Sequence, residues 1–268
     1  MNYPQYFSRL LFILTSCCLL GGCTAKKFLS ENEYFFTEAS VKFVNSKQIM
    51  DKSLLNERLQ SVITPSPSSA FLGIRPRVWL YYAVGEVEKE SGFKHFLKTR
   101  VGNAPVLFED VKPDRIETLM VNRLHNMGYF YPDVKRQVSK ENHEATLEYT
   151  VEVDSPYVFN EIYWPSDTSA LLRHINELKQ ESELKKGEPF RLETLKAERV
   201  RINQALKDEG FYFFDNSFII FKADTSINGR QVNVYARIKS GIPEKAVRKY
   251  TLNRVNIYPN YSVLPEDS

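Results

Sequence analysis

The sequence predicts an α+β protein of two tandem units, each running strand, helix, helix, strand, strand, behind an N-terminal export signal. Three observations lead there. An apolar run closed by a cysteine opens the chain. A helical motif recurs, Arg115-Ile116-Glu117-Thr118-Leu119 returning 76 residues later as Arg191-Leu192-Glu193-Thr194-Leu195. Each copy is followed by a glycine, a cluster of aromatics and an alternating run. Composition agrees: 268 residues, 43% hydrophobic, suit about two domains with packed cores. The 18 Phe and 15 Tyr favour strands. A net charge of +3 from 36 basic and 33 acidic residues lacks the imbalance of a nucleic-acid binder, so no nucleic-acid partner is expected.

Residues 1–22 read as a signal peptide. The apolar core Leu10 to Leu20 reaches only about 16 Å as a helix, half of a bilayer's hydrocarbon. Leu20-Gly21-Gly22-Cys23 ends it and resembles a bacterial lipobox, which implies cleavage before Cys23 and acylation of its thiol. Cys17 and Cys18 would leave with the signal, so the mature chain could form neither disulfide nor thiolate metal site. Multiple acyl chains anchor stably, which makes the membrane a partner through Cys23. Thr24-Ala25-Lys26-Lys27 contains no acidic retention or surface-export signal, so the expected location is the outer membrane, facing the periplasm.

A linker at 23–35 then leads to unit one, 36–154. Its first strand is expected at Thr37 to Val44 and its first helix at Ser53 to Val62. An insertion at about 64–104 contains the loop Thr64 to Ser69 and an apolar stretch, Phe71 to Val87. The second helix, Asp114 to Met127, has Ile116, Leu119, Met120 and Leu124 at helical spacing and stops at Gly128. Period-two runs follow at Tyr129, Tyr131, Val134 and Val138, then Leu147 to Val153, with Ser139 to Glu144 as a polar turn.

Unit two, 155–242, repeats the order. Its strand is expected at Tyr157 to Trp164, its first helix at Ser169 to Lys179, and Gly210 stops its second helix. The matching leucines Leu124 and Leu206 are 82 residues apart, so the second helical segment is expected to be nearly two turns longer. A hairpin is expected from Phe211 to Ile238, turning at Asn228-Gly229. Residues 243–268 read as a linker and the first strand, Tyr250 to Tyr258, of an incomplete third repeat.

Tandem β-α-α-β-β units with Gly-Tyr-Phe or Gly-Phe-Tyr after a helix and strand pairs closing at Ser-Pro or Gly-x-Pro resemble POTRA domains, the periplasmic modules of BamA/TamA-type outer-membrane assembly proteins. Phe71 to Tyr81, Gly102 to Phe108 and Lys27 to Tyr34 are similar to segments of the Bacteroidota lipoprotein form, TamL. The resemblance implies a three-stranded sheet with two helices on one face. It also implies binding of unfolded outer-membrane clients, or of a TamB-like inner-membrane partner, by β-augmentation. That family ends in a transmembrane β-barrel, which these residues do not supply, so the chain reads as part of a longer protein.

The aromatic runs after the glycines are the expected partner-binding edges, with Tyr129, Tyr131, Phe211, Phe213 and Phe218 as contact residues. Proline at Phe218 is expected to weaken client binding. No cofactor, metal or catalytic residue is expected: His95, His125, His143 and His174 lack ligand spacing, and neither phosphate loop nor nucleophile elbow occurs. Two alternatives remain: a stand-alone anchored scaffold, or a periplasmic enzyme using Glu86, Glu88 and Glu90 near Trp79.

Overall fold

The structure, a computed structural model, describes residues 25–257 apart from 45–46, 48, 69–74, 88–90 and 167. The signal peptide and Cys23 lie outside the described residues. The chain packs as two units, one ending at Ser155 and the other containing Pro156 onward together with Asn126–Gly128.

Unit one contains β1 (Phe35–Phe43), α1 (Lys52–Gln60), α2 (Pro76–Val84), α3 (Phe93–Phe96), α4 (Pro113–Asn126), β2 (Asp133–Glu141) and β3 (Glu144–Glu152). Its sheet has the order β1-β3-β2, with β1 parallel and β2 antiparallel to the central strand. The alternation of β3 buries Ala145, Leu147, Tyr149 and Val151 on one face. Leu55 and Leu59 of α1 and Ile116, Met120 and Leu124 of α4 supply the buried helical faces. Asp51 caps α1 by accepting from the Leu54 N–H at 3.0 Å.

Unit two repeats this with β4 (Val158–Tyr163), α5 (Ala170–Glu177), α6 (Leu192–Asp208), β5 (Ile219–Asp224) and β6 (Gln231–Ile238), in sheet order β4-β6-β5. Val232, Val234 and Ala236 of β6 form its buried face. Leu171, Ile175, Ile202, Leu206, Phe211, Phe214 and Ile219 form one cluster from both helices, the following turn and the sheet. The α+β architecture expected from the sequence is therefore present in both units.

Four local expectations are corrected. First, the aromatic runs are turns, and the strands begin later, at Asp133 and Ile219. The Tyr129 N–H donates to the Leu124 carbonyl and the Phe211 N–H to that of Leu206, across Gly128 (φ 86°) and Gly210 (φ 96°). This is a Schellman-type helix end, where the residue after the glycine turns its apolar side chain back onto the helix. Second, α6 has 17 residues against 14 in α4, a difference of three rather than nearly two turns. Arg115 lies inside the first turn of α4 whereas Arg191 precedes α6, so the matching pentapeptides occupy different positions. Third, the tight two-residue hairpin is Asn142-His143, both at positive φ, while β5 and β6 are joined by a longer loop with positive φ at Gly229 and Arg230. The Asp224 carboxylate accepts from the Ser226 N–H and hydroxyl, which starts that loop as an Asx turn and displaces the tight reversal. Fourth, residues 250–257 form no strand; Leu252, Val255 and Ile257 are exposed and have no ladder partner among the described residues. The rest of the expected strand, from Tyr258, lies outside the described residues.

The insertion carries more structure than its apolar pattern predicts. α2 begins with Pro76 at its first position and stops at Gly85 (φ 70°), and a π-helical turn, Leu97–Val101, continues α3. A Cβ on Gly102 would lie 2.8 Å from the Lys98 carbonyl oxygen and 3.2 Å from the Tyr81 Cα. Glycine is what lets this turn press against α2.

Candidate partner-binding edges

Two three-stranded sheets present four edges. In each unit the start of the edge formed by the first strand is hydrogen-bonded to the segment that leads into the second long helix, and in unit one to Ser68 as well. Along β1, the Phe36 N–H donates to the Val106 carbonyl, the Phe108 N–H to that of Tyr34 and the Ser68 N–H to that of Phe36, each at 2.8 Å. Along β4, the Gly187 N–H donates to the Phe159 carbonyl at 2.7 Å, the Phe159 N–H to that of Glu188 at 2.9 Å and the Phe190 N–H to that of Tyr157 at 2.8 Å. Isolated bridges Phe35–Leu107 and Val158–Pro189 mark the same contact. These contacts reach Phe36 of β1 and Phe159 of β4; the other two edges are β2 and β5.

The outward-facing groups of these strands follow from parity. In an antiparallel pair, opposite residues alternate between exchanging hydrogen bonds and facing away. The Lys239 N–H donates to the Phe218 carbonyl at 2.9 Å, and Ile219 stands opposite Ile238. Ile220, Lys222 and Asp224 therefore face β6, and the backbone groups of Phe221 and Ala223 face outward, while the Ile219 N–H donates to the Asn216 carbonyl and closes the preceding 3-10 turn. In β2 the two-residue turn makes Glu141–Glu144 the closing bonded pair. Val134, Arg136, Val138 and Lys140 then face outward.

The two edges differ in chemistry. β2 carries Lys135, Arg136 and Lys140, a pattern that discourages strand addition. Arg136 pairs with Asp114 at 2.5 Å and Glu117 at 2.9 Å, and the Lys140 Nζ lies 4.5 Å from the Tyr34 ring centroid and 4.8 Å from that of Phe108. β5 reads Ile-Ile-Phe-Lys-Ala-Asp, has one cation, and exposes Ile220 at 42%. It is the less protected template.

The five aromatics expected at the edges fall in different environments. Phe211 is 1% exposed in the second core, edge-on to His174 with centroids 5.5 Å apart. Phe218 is half-buried against the same core and T-shaped to Phe214. Tyr129 is buried in unit one. Tyr131 and Phe213 are exposed, and Phe213 sits between Tyr212 and Tyr250, each centroid 5.1 Å away, with the Lys245 Nζ at 4.8 Å. The structure thus brings Phe211 and Phe218 into one core, and none of the five lies within a strand, although the Phe218 carbonyl accepts from Lys239 just before β5. Proline at Phe218 would not block an edge: its N–H donates to the Asp215 carbonyl at 3.0 Å and closes a 3-10 turn. The outward positions Phe221 and Ala223 were missed by the sequence reasoning because they depend on hydrogen-bond parity, which only the register fixes.

Charged groups elsewhere have structural partners. Glu198 is fully buried on α6 and accepts from the Arg201 Nε at 3.0 Å, the Arg201 Nη2 at 2.7 Å and the Glu183 N–H at 3.2 Å. His143 Nδ1 lies 3.0 Å from the Glu33 carbonyl oxygen. Among the described residues, no cluster of three or more His, Cys, Asp or Glu is placed to hold a metal ion. Of the acidic trio near Trp79, Glu88 and Glu90 lie outside the described residues.

No protein-family model and no curated protein matches the sequence. Among the solved structures similar to this chain are BamA and Omp85 proteins. They include BamA from Haemophilus ducreyi lacking POTRA domains 1–3, at 15% identity and TM-score 0.37, with 77% of this chain and 29% of that chain covered. POTRA1-2 of the periplasmic domain of Omp85 from Anabaena gives 11% identity and TM-score 0.34, covering 77% and 96%. POTRA3-5 of Haemophilus influenzae BamA gives 16% and 0.27, covering 80% and 100%. This chain therefore spans under a third of the Haemophilus ducreyi chain.

Proposed function

We propose that the chain is the periplasmic POTRA region of a TamL-like outer-membrane assembly factor, tethered through acylated Cys23. In this reading it acts by binding rather than by catalysis. The ligand is an extended segment of an unfolded outer-membrane client, or of a TamB-like inner-membrane partner, which adds as a fourth strand to β5. The observation that carries this reading is the asymmetry of the sheet edges: each first-strand edge is occupied at its start by backbone hydrogen bonds, β2 carries three cations, and β5 carries one and turns the backbone of Phe221 and Ala223 outward. Main-chain pairing tolerates varied client sequences, which suits a factor serving many clients. Of the five aromatics, Phe213 and Tyr131 have the exposure to touch a client, and Phe211, Phe218 and Tyr129 support the fold.

Ala223→Pro tests this. It removes an outward N–H without touching a ladder bond, at an exposed position. One lost intermolecular hydrogen bond is worth about 1 kcal/mol, so affinity for an unfolded outer-membrane strand peptide is expected to fall at least about fivefold. Val138→Pro on β2 is expected to change it little. Equal affinity for the Ala223→Pro and unaltered chains, with circular dichroism unchanged, would remove β5 as the site.

A further inference from the structure

Between the anchor and the first sheet lies a surface that strand addition does not use. Ala25 is 3% exposed and packs with Phe35 and Val78, with Leu29, Tyr82 and Leu107 around them. The Phe28 ring stacks on Tyr82 of α2, with centroids 4.9 Å apart and planes 9° from parallel. The Lys26 Nζ lies 3.3 Å from the Glu144 carboxylate. The chain is thus fixed to unit one from Ala25 onward. Two peptide units limit the Cys23 Cα to about 7.6 Å from that of Ala25. An acylated Cys23 on so short a tether would keep the part of unit one that holds Ala25 near the bilayer surface.

The insertion contributes Val78 and Tyr82 to that part. It exposes Trp79 at 40%, Phe93 at 74% and Phe96 at 52%, more large apolar surface than a segment of this length needs for folding. Phe93 and Phe96 are one turn apart on the same helix face. Residues 91–103 carry Lys94, Lys98 and Arg100 and no carboxylate, directly after the mixed-charge stretch of Glu86, Glu88, Lys89 and Glu90. The platform is held in place from beneath: the Arg77 Nε donates to the Val101 carbonyl at 2.9 Å, the Lys98 Nζ to that of Gly85 at 2.6 Å, and the Asn103 N–H to that of Arg77 at 3.0 Å.

We propose that the α2–α3 insertion, with Trp79, Phe93 and Phe96 as its apolar contacts and Lys94 and Arg100 as its cationic ones, lies on the anionic phospholipid surface to which Cys23 is tethered. Aromatic rings at headgroup depth flanked by lysine and arginine are the chemistry of an interfacial membrane contact. The inference rests on the proposed anchoring of Cys23. It adds that the anchor is short and that the first unit is held at the bilayer.

The test uses the full chain carrying Trp164→Phe, which leaves Trp79 as the reporter, since the sequence has two tryptophans. The mass of the mature product reports acylation. The protein is then incorporated into phosphatidylethanolamine–phosphatidylglycerol vesicles containing brominated phospholipid. Trp79 emission is expected to shift to the blue and to be quenched about twofold by the interfacial bromine, and Phe93→Ser with Phe96→Ser is expected to reverse most of this. An acylated, vesicle-bound protein whose Trp79 stays unquenched and open to acrylamide overturns the platform and leaves the anchor standing. An unacylated product that is still quenched overturns the anchor alone, and one that is neither acylated nor quenched overturns both. Quenching lost when an unfolded client or a second copy of the chain binds over Trp79 would reassign the surface to a protein.

Discussion

The two units share a topology and fill its centre differently. Aligned on the glycines that end their second helices, Ile116 of α4 and Glu198 of α6 both stand twelve residues before the stop, and both are buried. Aligned on the central strands, Tyr149 of β3 corresponds to Ala236 of β6. In unit one the sheet supplies the polar tie: the buried Tyr149 hydroxyl donates to the Pro113 carbonyl at 2.9 Å, at the start of α4. Burial also pushes the Tyr149 pKa up, so the hydroxyl stays a donor. In unit two the helix supplies it: Glu198 holds the Glu183 N–H, and Arg201 reaches the Leu178 carbonyl at 2.9 Å. Each arrangement ties the segment before or at the second helix to the core. Backbone pattern sets the topology, and the buried polar atoms are free to differ provided each finds a partner.

The largest effect should come from breaking the ionic version. Glu198→Ala takes the acceptor from the Glu183 N–H and from two of the Arg201 hydrogen bonds, leaving Arg201 only the Leu178 carbonyl and Glu181, and is expected to cost about 3 kcal/mol, read as a lower urea midpoint for unit two. Glu198→Ile with Arg201→Met copies the apolar solution of unit one and should cost less than the single change. If the double variant is the worse, the two units are not equivalent at this position. Tyr149→Phe should cost about 1 kcal/mol in unit one, since it removes one hydrogen bond and leaves the ring packed.

A smaller, pH-dependent effect concerns Glu144. Burial raises its pKa, but hydrogen bonds from Arg75 and Lys26 outweigh this and hold the carboxyl below its ordinary value. A depressed folded pKa means that the stabilisation is complete above the unfolded carboxylate pKa and is lost as pH falls through the folded one. Docking of residues 25–28 should therefore loosen only in acid, below the usual glutamate range, and Glu144→Gln should loosen it at neutral pH. Hydrogen exchange at the Leu29 amide, which donates to the Lys26 carbonyl at 3.3 Å, reads both.

Much of this was legible in the sequence, because the two sheets and four principal helices follow from alternation and helical spacing. The central strands were plain, since burial of every second residue gives an unmistakable pattern. The aromatic runs misled for a specific reason: Tyr129 and Phe211 are apolar because they close helix ends, a demand indistinguishable by composition from that of a strand. Asn228-Gly229 misled because Asp224 captures the chain first. Edge coverage was not legible, because it depends on which loop returns to which strand. The insertion's helices were hidden by aromatic residues, whose helix propensity is middling and whose exposure no spacing reveals.

The claim that β5 receives an added strand is tested most directly by residue-resolved hydrogen exchange of the full chain with and without an unfolded outer-membrane strand peptide. Binding should slow exchange at the outward amides of Phe221 and Ala223, and leave Ile220 and Lys222, already bonded to β6, unchanged. Protection confined to the helices or to β2, with those two amides still exchanging freely, would contradict it.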